Sequence, residues 1–118
     1  MNDVSTPMMN LLEKFLNVTT ERNKLVVGNM ANVDTPGYQT KDIDFRGELQ
    51  RAVFNGEANF SPVVRSVPLL ERPDGNNVSL DREGLLLAET QMQFGLGVQL
   101  MRHEFQNLMS AINEGSKA

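Results

Sequence analysis

The segment from Asn29 to Tyr38 reads Asn-Met-Ala-Asn-Val-Asp-Thr-Pro-Gly-Tyr and has the composition of a helix end followed by a tight turn. Asn32 can adopt the left-handed conformation with which many helices end. Thr35 precedes a proline and is therefore restricted to extended backbone. Residues 35–38 predict a type II turn with Gly37 at the position that requires a positive φ. We therefore expect the chain to leave a helix near residue 32 and to change direction there.

The residues before this segment predict a long amphipathic helix over about residues 7–32. Thr6 suits the N-cap, and Pro7 suits the first helical position. On a helical wheel, a stripe of apolar residues lies within about 60° of Phe15. Arg22 lies on the same stripe, where its alkyl chain would cover apolar surface or its guanidinium would bind a carboxylate of a neighbouring subunit. The apolar stripe comprises Met8, Leu11, Leu12, Val18, Val26, Met30 and Val33.

The middle of the chain, about residues 33–78, predicts little regular structure because it contains four of the five prolines. Asp44 to Phe54 predicts a short helix. Residues 61–72 predict extended backbone with at most a short edge strand around the valines 63, 64 and 67, because proline cannot donate to a sheet. Three dipeptides indicate turns. They are Pro36-Gly37, Asn55-Gly56 and Asp74-Gly75.

A second long helix is predicted over about residues 79–113, capped by Ser79 or Asp81. Its apolar residues recur at 4-3-4-3-4 spacing, which is typical of a seam against another helix. Leu87 extends the pattern backward. We expect this stripe to be packed, with the N-terminal helix as one partner. The stripe comprises Phe94, Val98, Met101, Phe105, Leu108 and Ile112.

The length and the second face of this helix predict an elongated, assembling protein. Roughly 33 helical residues span about 50 Å, whereas a compact globule of 118 residues is only about 35 Å across. Either the helix projects from a compact body or the body is elongated. Leu85, Met92 and Leu96 lie opposite the first stripe, and a helix that is apolar on two sides needs two partners. We expect the second partner to be another chain.

Three glycines lie within the same predicted helix, at positions 84, 95 and 97. Each costs about 1 kcal/mol relative to alanine in a helix interior. They weaken the isolated helix or allow close approach by a neighbour. In both cases the helix depends on contacts with other elements.

Composition excludes several classes of protein. Lys and Arg number 11 against 15 Asp and Glu, which gives a net charge of −4 and makes nucleic-acid binding improbable. The chain has no cysteine and one histidine, His103, so we expect no thiol chemistry, no metal site and no cofactor. No apolar run is long enough to span a membrane, and no secretory signal is visible at the N-terminus. Asp42 and Asp44 form a carboxylate pair of the kind some enzymes use, but a solvated turn explains these side chains more simply. We therefore expect no enzyme activity.

The segment from residue 29 to 38 also carries a resemblance. It matches every fixed position of Asn-x-Ala-Asn-x-x-Thr-Pro-Gly-Tyr, the signature of the bacterial flagellar rod and hook proteins, and the chain resembles that family. The resemblance continues through residues 39–45, 48–49, 74–78 and 81–83 and covers both long helices. The matching signature residues are Asn29, Ala31, Asn32, Thr35, Pro36, Gly37 and Tyr38.

The resemblance implies a mainly α fold, with one elongated rod-type domain over residues 1–118 in which the long N- and C-terminal helices pair antiparallel. It implies a structural subunit of the proximal rod that polymerises helically by helix packing and links the export gate and membrane ring to the drive shaft. The expected packing and interface residues are Phe15, Arg22, Val26, Leu85, Met92, Phe94, Leu96, Val98, Met101, Phe105, Leu108 and Ile112.

The same resemblance implies the location and the partners. We expect type III export and a place in the flagellar basal body, in the periplasmic space. The implied partners are copies of the chain, other rod subunits, a FliE-type adaptor, the export gate and membrane-ring proteins, with no nucleic acid and no small-molecule substrate. The alternatives are another short rod subunit or a soluble helical-hairpin adaptor.

Overall fold

A computed structural model describes residues 5–55 and 61–117 of the chain. Within these ranges the backbone is mainly helical with a short middle, which confirms the predicted fold class. In chain order the elements are α1 (Pro7–Ala31), β1 (Lys41–Asp42), α2 (Phe45–Asn55), β2 (Arg65–Ser66) and α3 (Leu80–Lys117).

Helix α1 begins as its sequence predicts. Thr6 is extended, with φ −93° and ψ 161°, and its hydroxyl oxygen accepts a hydrogen bond from the amide of Met9 at 3.0 Å. Pro7 occupies the first turn, where its missing N–H removes no helical hydrogen bond. The N-cap therefore fixes where the helix starts.

Helix α1 is capped at its end by hydrogen bonds of a side chain, and not by a residue in the left-handed conformation as we expected. The prediction for Asn32 is wrong, because its φ is −105°. Its Nδ2 donates to the carbonyl of Gly28 at 2.8 Å, and its Oδ1 accepts a hydrogen bond from the hydroxyl of Thr35 at 3.0 Å. These two bonds cap the helix and lead into the turn without a positive φ at a residue that carries a Cβ.

Helix α3 is longer than predicted. It begins at Leu80, where the hydroxyl oxygen of Ser79 accepts from the amide of Arg82 at 3.2 Å, and it continues to Lys117. Ser79 is therefore the capping residue. No proline follows residue 113, and Gly115 is accommodated within the helix. Its 38 residues span roughly 57 Å.

The two long helices run antiparallel and make the molecule elongated. Its principal extents are 71 × 26 × 17 Å and its radius of gyration is 18.5 Å, compared with about 13.5 Å for a compact chain of this length. This confirms an elongated body. Successive contacts along the pair are Glu83 with Asn29, Thr90 with Asn23, and Gly97 with Leu16.

The line of closest contact on α3 differs from the predicted seam. Its most buried residues are Glu83, Leu86, Thr90 and Gly97. The predicted stripe lies beside this line, and Phe94, Phe105 and Ile112 are 45%, 49% and 47% exposed. Our expectation of a tightly packed seam on that stripe is wrong in its placement. The reason is that polar contacts at residues 83 and 90 and the close approach at residue 97 set the rotation of α3.

The short middle packs at the end of the long pair. β1 and β2 are antiparallel, with Lys41 opposite Ser66 and Asp42 opposite Arg65. The observed strand lies between the valines predicted to form it. Helix α2 starts and ends one residue later than predicted. Phe45, the first residue of α2, packs edge-on against Phe15 of α1, with 5.8 Å between the ring centroids. The predicted turn at Asn55-Gly56 extends beyond the described residues.

Two alanine substitutions on α3 test the close approach of the helices. A Cβ at Gly97 would lie 2.6 Å from Leu16 Cδ2 and 3.1 Å from Phe15 Cδ2, whereas a Cβ at Gly95 would meet nothing within 4 Å. We expect Gly97→Ala to lower the free energy of unfolding by about 1–3 kcal/mol through overpacking. Gly95→Ala should raise it by about 0.5–1 kcal/mol through helix propensity.

Urea denaturation followed by circular dichroism measures both effects. Equal stabilisation by the two alanines would show that α1 and α3 are further apart at this level than the structure places them.

Candidate functional site

The buried amide of Asn29 connects four parts of the chain. Its Nδ2 donates to the carbonyl of Lys41 at 2.8 Å and to Oε1 of Glu83 at 2.9 Å. Its Oδ1 accepts from the hydroxyl of Tyr38 and from the amide of Lys41, each at 3.0 Å. Burial, together with the charge of Glu83, raises the pKa of the Tyr38 hydroxyl, which keeps it a donor. The full capacity of the amide is used, and α1, the turn, β1 and α3 meet there.

A run of charged groups continues from Glu83 to α1. Glu83 is fully buried, and its Oε2 accepts from Arg82 Nη1 at 2.7 Å. Arg82 Nη2 donates to Asp42 Oδ2 at 2.6 Å. Asp42 also accepts two hydrogen bonds from Arg22, at 3.1 and 3.0 Å. Two guanidinium groups thus face two buried carboxylates, and each buried charge has a hydrogen-bonded partner. We call these four residues the charge cluster.

The hydrogen bonds of the cluster shift the pKa values of Asp42 and Arg82. Burial alone would raise the pKa of Asp42, but hydrogen bonds from Arg22, from the amide of Ile43 and from Arg82 hold it below its ordinary value. Burial also opposes the charge of Arg82, yet the bonds to Asp42 and Glu83 raise the pKa of this guanidinium. Both groups are therefore held in their charged forms.

The cluster corrects two predictions. Asp42 is 7% exposed and is not the solvated turn residue that we expected; only Asp44 is exposed. Arg22 binds the carboxylate of Asp42 in its own chain, a contact that neither of the two interpretations of this residue included. The partners lie 20 residues apart in sequence, and no local pattern predicts that pairing.

Two turns with left-handed glycines lie against each other beside Asn29. Gly37 has φ 76°, and the amide of Tyr38 donates to the carbonyl of Thr35 at 3.2 Å, as the predicted type II turn requires. The amide of Gly37 donates to the carbonyl of Asp74 at 2.9 Å. Gly75 has φ 85°, and a Cβ there would lie 3.4 Å from the Cα of Gly37. The positive φ explains glycine at both positions, because residues with a Cβ rarely adopt this conformation.

Asn76 and Asn77 attach the second turn to the first turn and to the strands. Asn76 Nδ2 donates to the carbonyl of Asn32 at the end of α1, at 2.9 Å, and to the carbonyl of Thr35 in the first turn, at 2.8 Å. Asn77 Oδ1 accepts from the amide of Thr40 at 2.6 Å, and its Nδ2 donates to the carbonyl of Val67 at 2.8 Å. Both side chains are buried. They provide the side-chain donors and acceptors that irregular backbone requires when it is buried.

Sequence reasoning missed several of these residues as members of the site. Glu83 could have been found, because the first turn of a helix favours acidic side chains and the wheel places it on the contact line. The two adjacent asparagines lie in the stretch 74–78 that shares the resemblance, but their residue types alone indicated only a loop. The missed residues are Thr40, Asp42, Asn76, Asn77, Arg82 and Glu83.

Comparisons with known proteins agree with the resemblance. The flagellar basal body rod protein FlgB of Salmonella typhimurium is 29% identical over 126 aligned positions, which cover 88% of this chain and 91% of that protein. FlgB of Escherichia coli K12 is 26% identical with the same coverage, and FlgB of Borrelia hermsii is 27% identical over 85% of this chain and 91% of its own length. The chain is similar to these FlgB rod proteins over most of its length and of theirs. No model of a protein family matches it.

The signature residues of the chain divide into buried and exposed groups. Asn29 is buried, and Asn32 and Tyr38 are half-buried. Four signature residues are exposed, so the structure gives the turn geometry as the reason for Gly37 but shows no contact that requires Ala31. The exposed residues are Ala31, Thr35, Pro36 and Gly37.

The predicted packing and interface residues differ widely in burial. Val26 is 1% exposed, whereas Leu85, Met92 and Leu96 are 70%, 74% and 53% exposed. Phe94, Phe105 and Ile112 are exposed, as described above, and the other predicted packing and interface residues are half-buried. These are Phe15, Arg22, Val98, Met101 and Leu108. Their exposed parts leave apolar surface along both sides of α3.

The described part of the chain shows no group of three or more His, Cys, Asp or Glu side chains that could hold a metal ion. His103 is exposed on α3. Among the described helices, none combines the length and the apolar character needed to span a membrane.

Replacing the central amide with a carboxylate tests the junction. Asn29→Asp keeps the shape but removes both donors and places a second carboxylate 2.9 Å from Glu83. We expect the free energy of unfolding to fall by about 3–5 kcal/mol at pH 7. Part of the loss should be recovered near pH 5, because two close carboxylates share a proton. Asn17→Asp, an exposed site on the same helix, is the matched control and should cost little. Urea denaturation at both pH values measures the difference, and equal losses would contradict the central role of Asn29.

The charge cluster predicts a dependence of stability on pH. The pKa of Asp42 is lowered from 3.8 on folding. Its contribution is therefore complete above about pH 5 and is lost as the pH falls through the lowered folded value. We expect the free energy of unfolding to decrease between pH 5 and pH 2.5.

The matched variants are Asp42→Asn and Asp44→Asn. Asp42→Asn should be less stable at pH 7, with a shallower pH dependence. Asp44→Asn removes a nearby exposed carboxylate, whose ion pair with Arg65 spans 3.8 Å, and serves as the matched control. Urea denaturation at a series of pH values measures these slopes, and identical slopes for the two variants would show that Asp42 does not titrate as the structure implies.

Proposed function

We propose that the chain is a structural subunit of the bacterial flagellar rod, at its proximal end, and that it polymerises helically by packing of its long helices. The support from comparison is that three FlgB proteins, each named as a basal body rod protein, match over most of their own length. The proposed role involves packing and mechanical continuity, and no catalysis.

The structural observation that supports assembly is the unburied apolar surface of α3. The exposed large apolar side chains on both of its sides from Leu85 to Ile112 are 41–74% exposed. Contiguous apolar surface of this kind usually marks an interaction site. Helices in a polymer would cover both sides, whereas α1 covers only one line of α3.

The junction around Asn29 supports a mechanical role. It fixes one end of the helix pair through buried hydrogen bonds and the charge cluster, while most of the exposed large apolar side chains of α3 lie further along the helix. In our proposal a subunit transmits torque through a rigid junction and joins its neighbours through the helix surfaces. The chain then lies in the basal body, in the periplasmic space, and links the export gate and membrane ring to the drive shaft. Its proposed partners are other rod subunits, a FliE-type adaptor, the export gate and membrane-ring proteins.

A soluble helical-hairpin adaptor is the alternative function. It would use the same apolar surface to bind one partner in a finite complex. Electron microscopy of basal bodies distinguishes the two, because a rod subunit is a repeated component of the axial structure and an adaptor is not.

A charge on the apolar stripe tests assembly in cells. Phe105 is 49% exposed in the free chain, so Phe105→Asp should leave the helical content of the purified chain nearly unchanged. Burying that carboxylate in a rod interface would cost several kcal/mol. We expect cells of the native bacterium with this variant as their only copy to build no rods and not to swim in soft agar. Gln106→Asp adds the same charge at the next, exposed position and should support swimming. Normal rods with Phe105→Asp would count against assembly through this stripe.

A further inference from the structure

One leucine in the loop after β2 projects fully into solvent. Leu70 is 95% exposed, the highest value among the large apolar side chains of the described residues. Hydrogen bonds hold the loop on both sides of it. The amide of Leu69 donates to the carbonyl of Val67 at 2.9 Å, and the amide of Arg72 donates to the carbonyl of Asn76 at 2.8 Å. The backbone therefore presents this side chain in a fixed position, which reduces the entropy that docking would cost.

A groove of matching character lies between the start of α1 and the later part of α3. Its volume is about 300 Å³, enough for a leucine side chain. Five of its six lining residues are apolar, and the sixth carries a positive charge. They are Met9, Leu16, Val98, Met101, Phe105 and Arg102.

The charges beside the two features are complementary. Glu71 follows Leu70 directly and is exposed, and Arg102 is exposed at the edge of the groove. Neither forms an ion pair within the part of the chain that the structure describes. The loop therefore offers an apolar side chain followed by a negative charge, and the groove offers an apolar recess beside a positive charge.

We propose that Leu70 of one copy of the chain docks in this groove of a second copy, where Glu71 binds Arg102. This contact rests on the proposed function, because it requires copies of the chain to be neighbours. The loop lies near the end of α1 and the groove near its start, roughly 35 Å apart along the helix. The contact is therefore heterologous, and each added copy presents a free groove and a free loop. Repetition of such a contact produces an open array unless the rotation closes it into a ring.

The absence of cysteine from the chain allows a direct test by cross-linking. Cells of the native bacterium express two variants together, one with Leu70→Cys and one with Met101→Cys, and are treated with a mild oxidant. We expect a disulfide-linked dimer that contains both variants. The matched control replaces Met101→Cys with Leu85→Cys, at a residue that is 70% exposed but lies outside the groove, and should give no such dimer.

The charge pair is tested in the same assay. Arg102→Glu added to the Met101→Cys chain should lower the yield of the dimer, by up to about fivefold for a rim charge. Glu71→Arg added to the Leu70→Cys chain should restore it. A dimer that forms equally with Leu85→Cys, no dimer with Met101→Cys, or no response to the charge reversals would each overturn the proposed contact.

A second measurement separates this contact from the proposed function. We expect Leu70→Asp to abolish swimming and rod assembly, whereas Val64→Asp, at a half-exposed site of the same segment, should not. If Leu70→Asp cells build normal rods while cells that lack the chain build none, the rod function stands and the Leu70 contact is wrong. If cells that lack the chain still build normal rods, the rod function fails, and the proposed contact fails with it.

Discussion

The hydrogen bonds of the Asn29 side chain are the constraint on which the fold depends. A buried amide with unused donors or acceptors costs more than the bonds contribute when all are made. Asn29 meets this condition only when the turn, β1 and the first turn of α3 are all in place, because each supplies one or two of its partners. One residue thus couples the formation of three otherwise weak local structures. The two-stranded pairing of β1 and β2 would not be stable alone.

The charge cluster extends this coupling to the register of the long helices. Arg22 and Asn29 lie two turns apart on α1, and both are tied to the region where α3 begins. Because the two cations and two carboxylates are fixed by directional bonds, α3 cannot slide or rotate without leaving a buried charge unpaired. Apolar packing alone would tolerate such a shift, since hydrophobic contact is not directional. Polar contacts therefore set the rotation of α3.

The sequence predicted the features that depend on residues close together in the chain. The N-cap at Thr6, the turn at Gly37 and the existence of two long helices follow from local chemistry and periodicity, and the structure confirms them. The missed features join distant residues, such as Asn29 with Glu83, which are 54 positions apart. The wheel also placed the α3 seam on the most apolar line. The true contact line contains Glu83, Thr90 and Gly97. The contribution of these residues to helix packing depends on partners that the sequence does not reveal.

The rotation of α3 has a consequence for assembly. Had α3 turned its most apolar stripe toward α1, Phe94, Phe105 and Ile112 would be buried within one chain, and little apolar surface would remain for neighbours. The contact line of α3 instead contains Glu83, Thr90 and Gly97 beside a single leucine, Leu86, so most of the larger apolar side chains of α3 remain at least partly exposed. Directional polar bonds can hold two helices with little apolar area, whereas association between subunits depends on the area removed from water. The two tasks therefore fall on different lines of one helix, and the exposed line stays available to the neighbours that the proposed assembly requires.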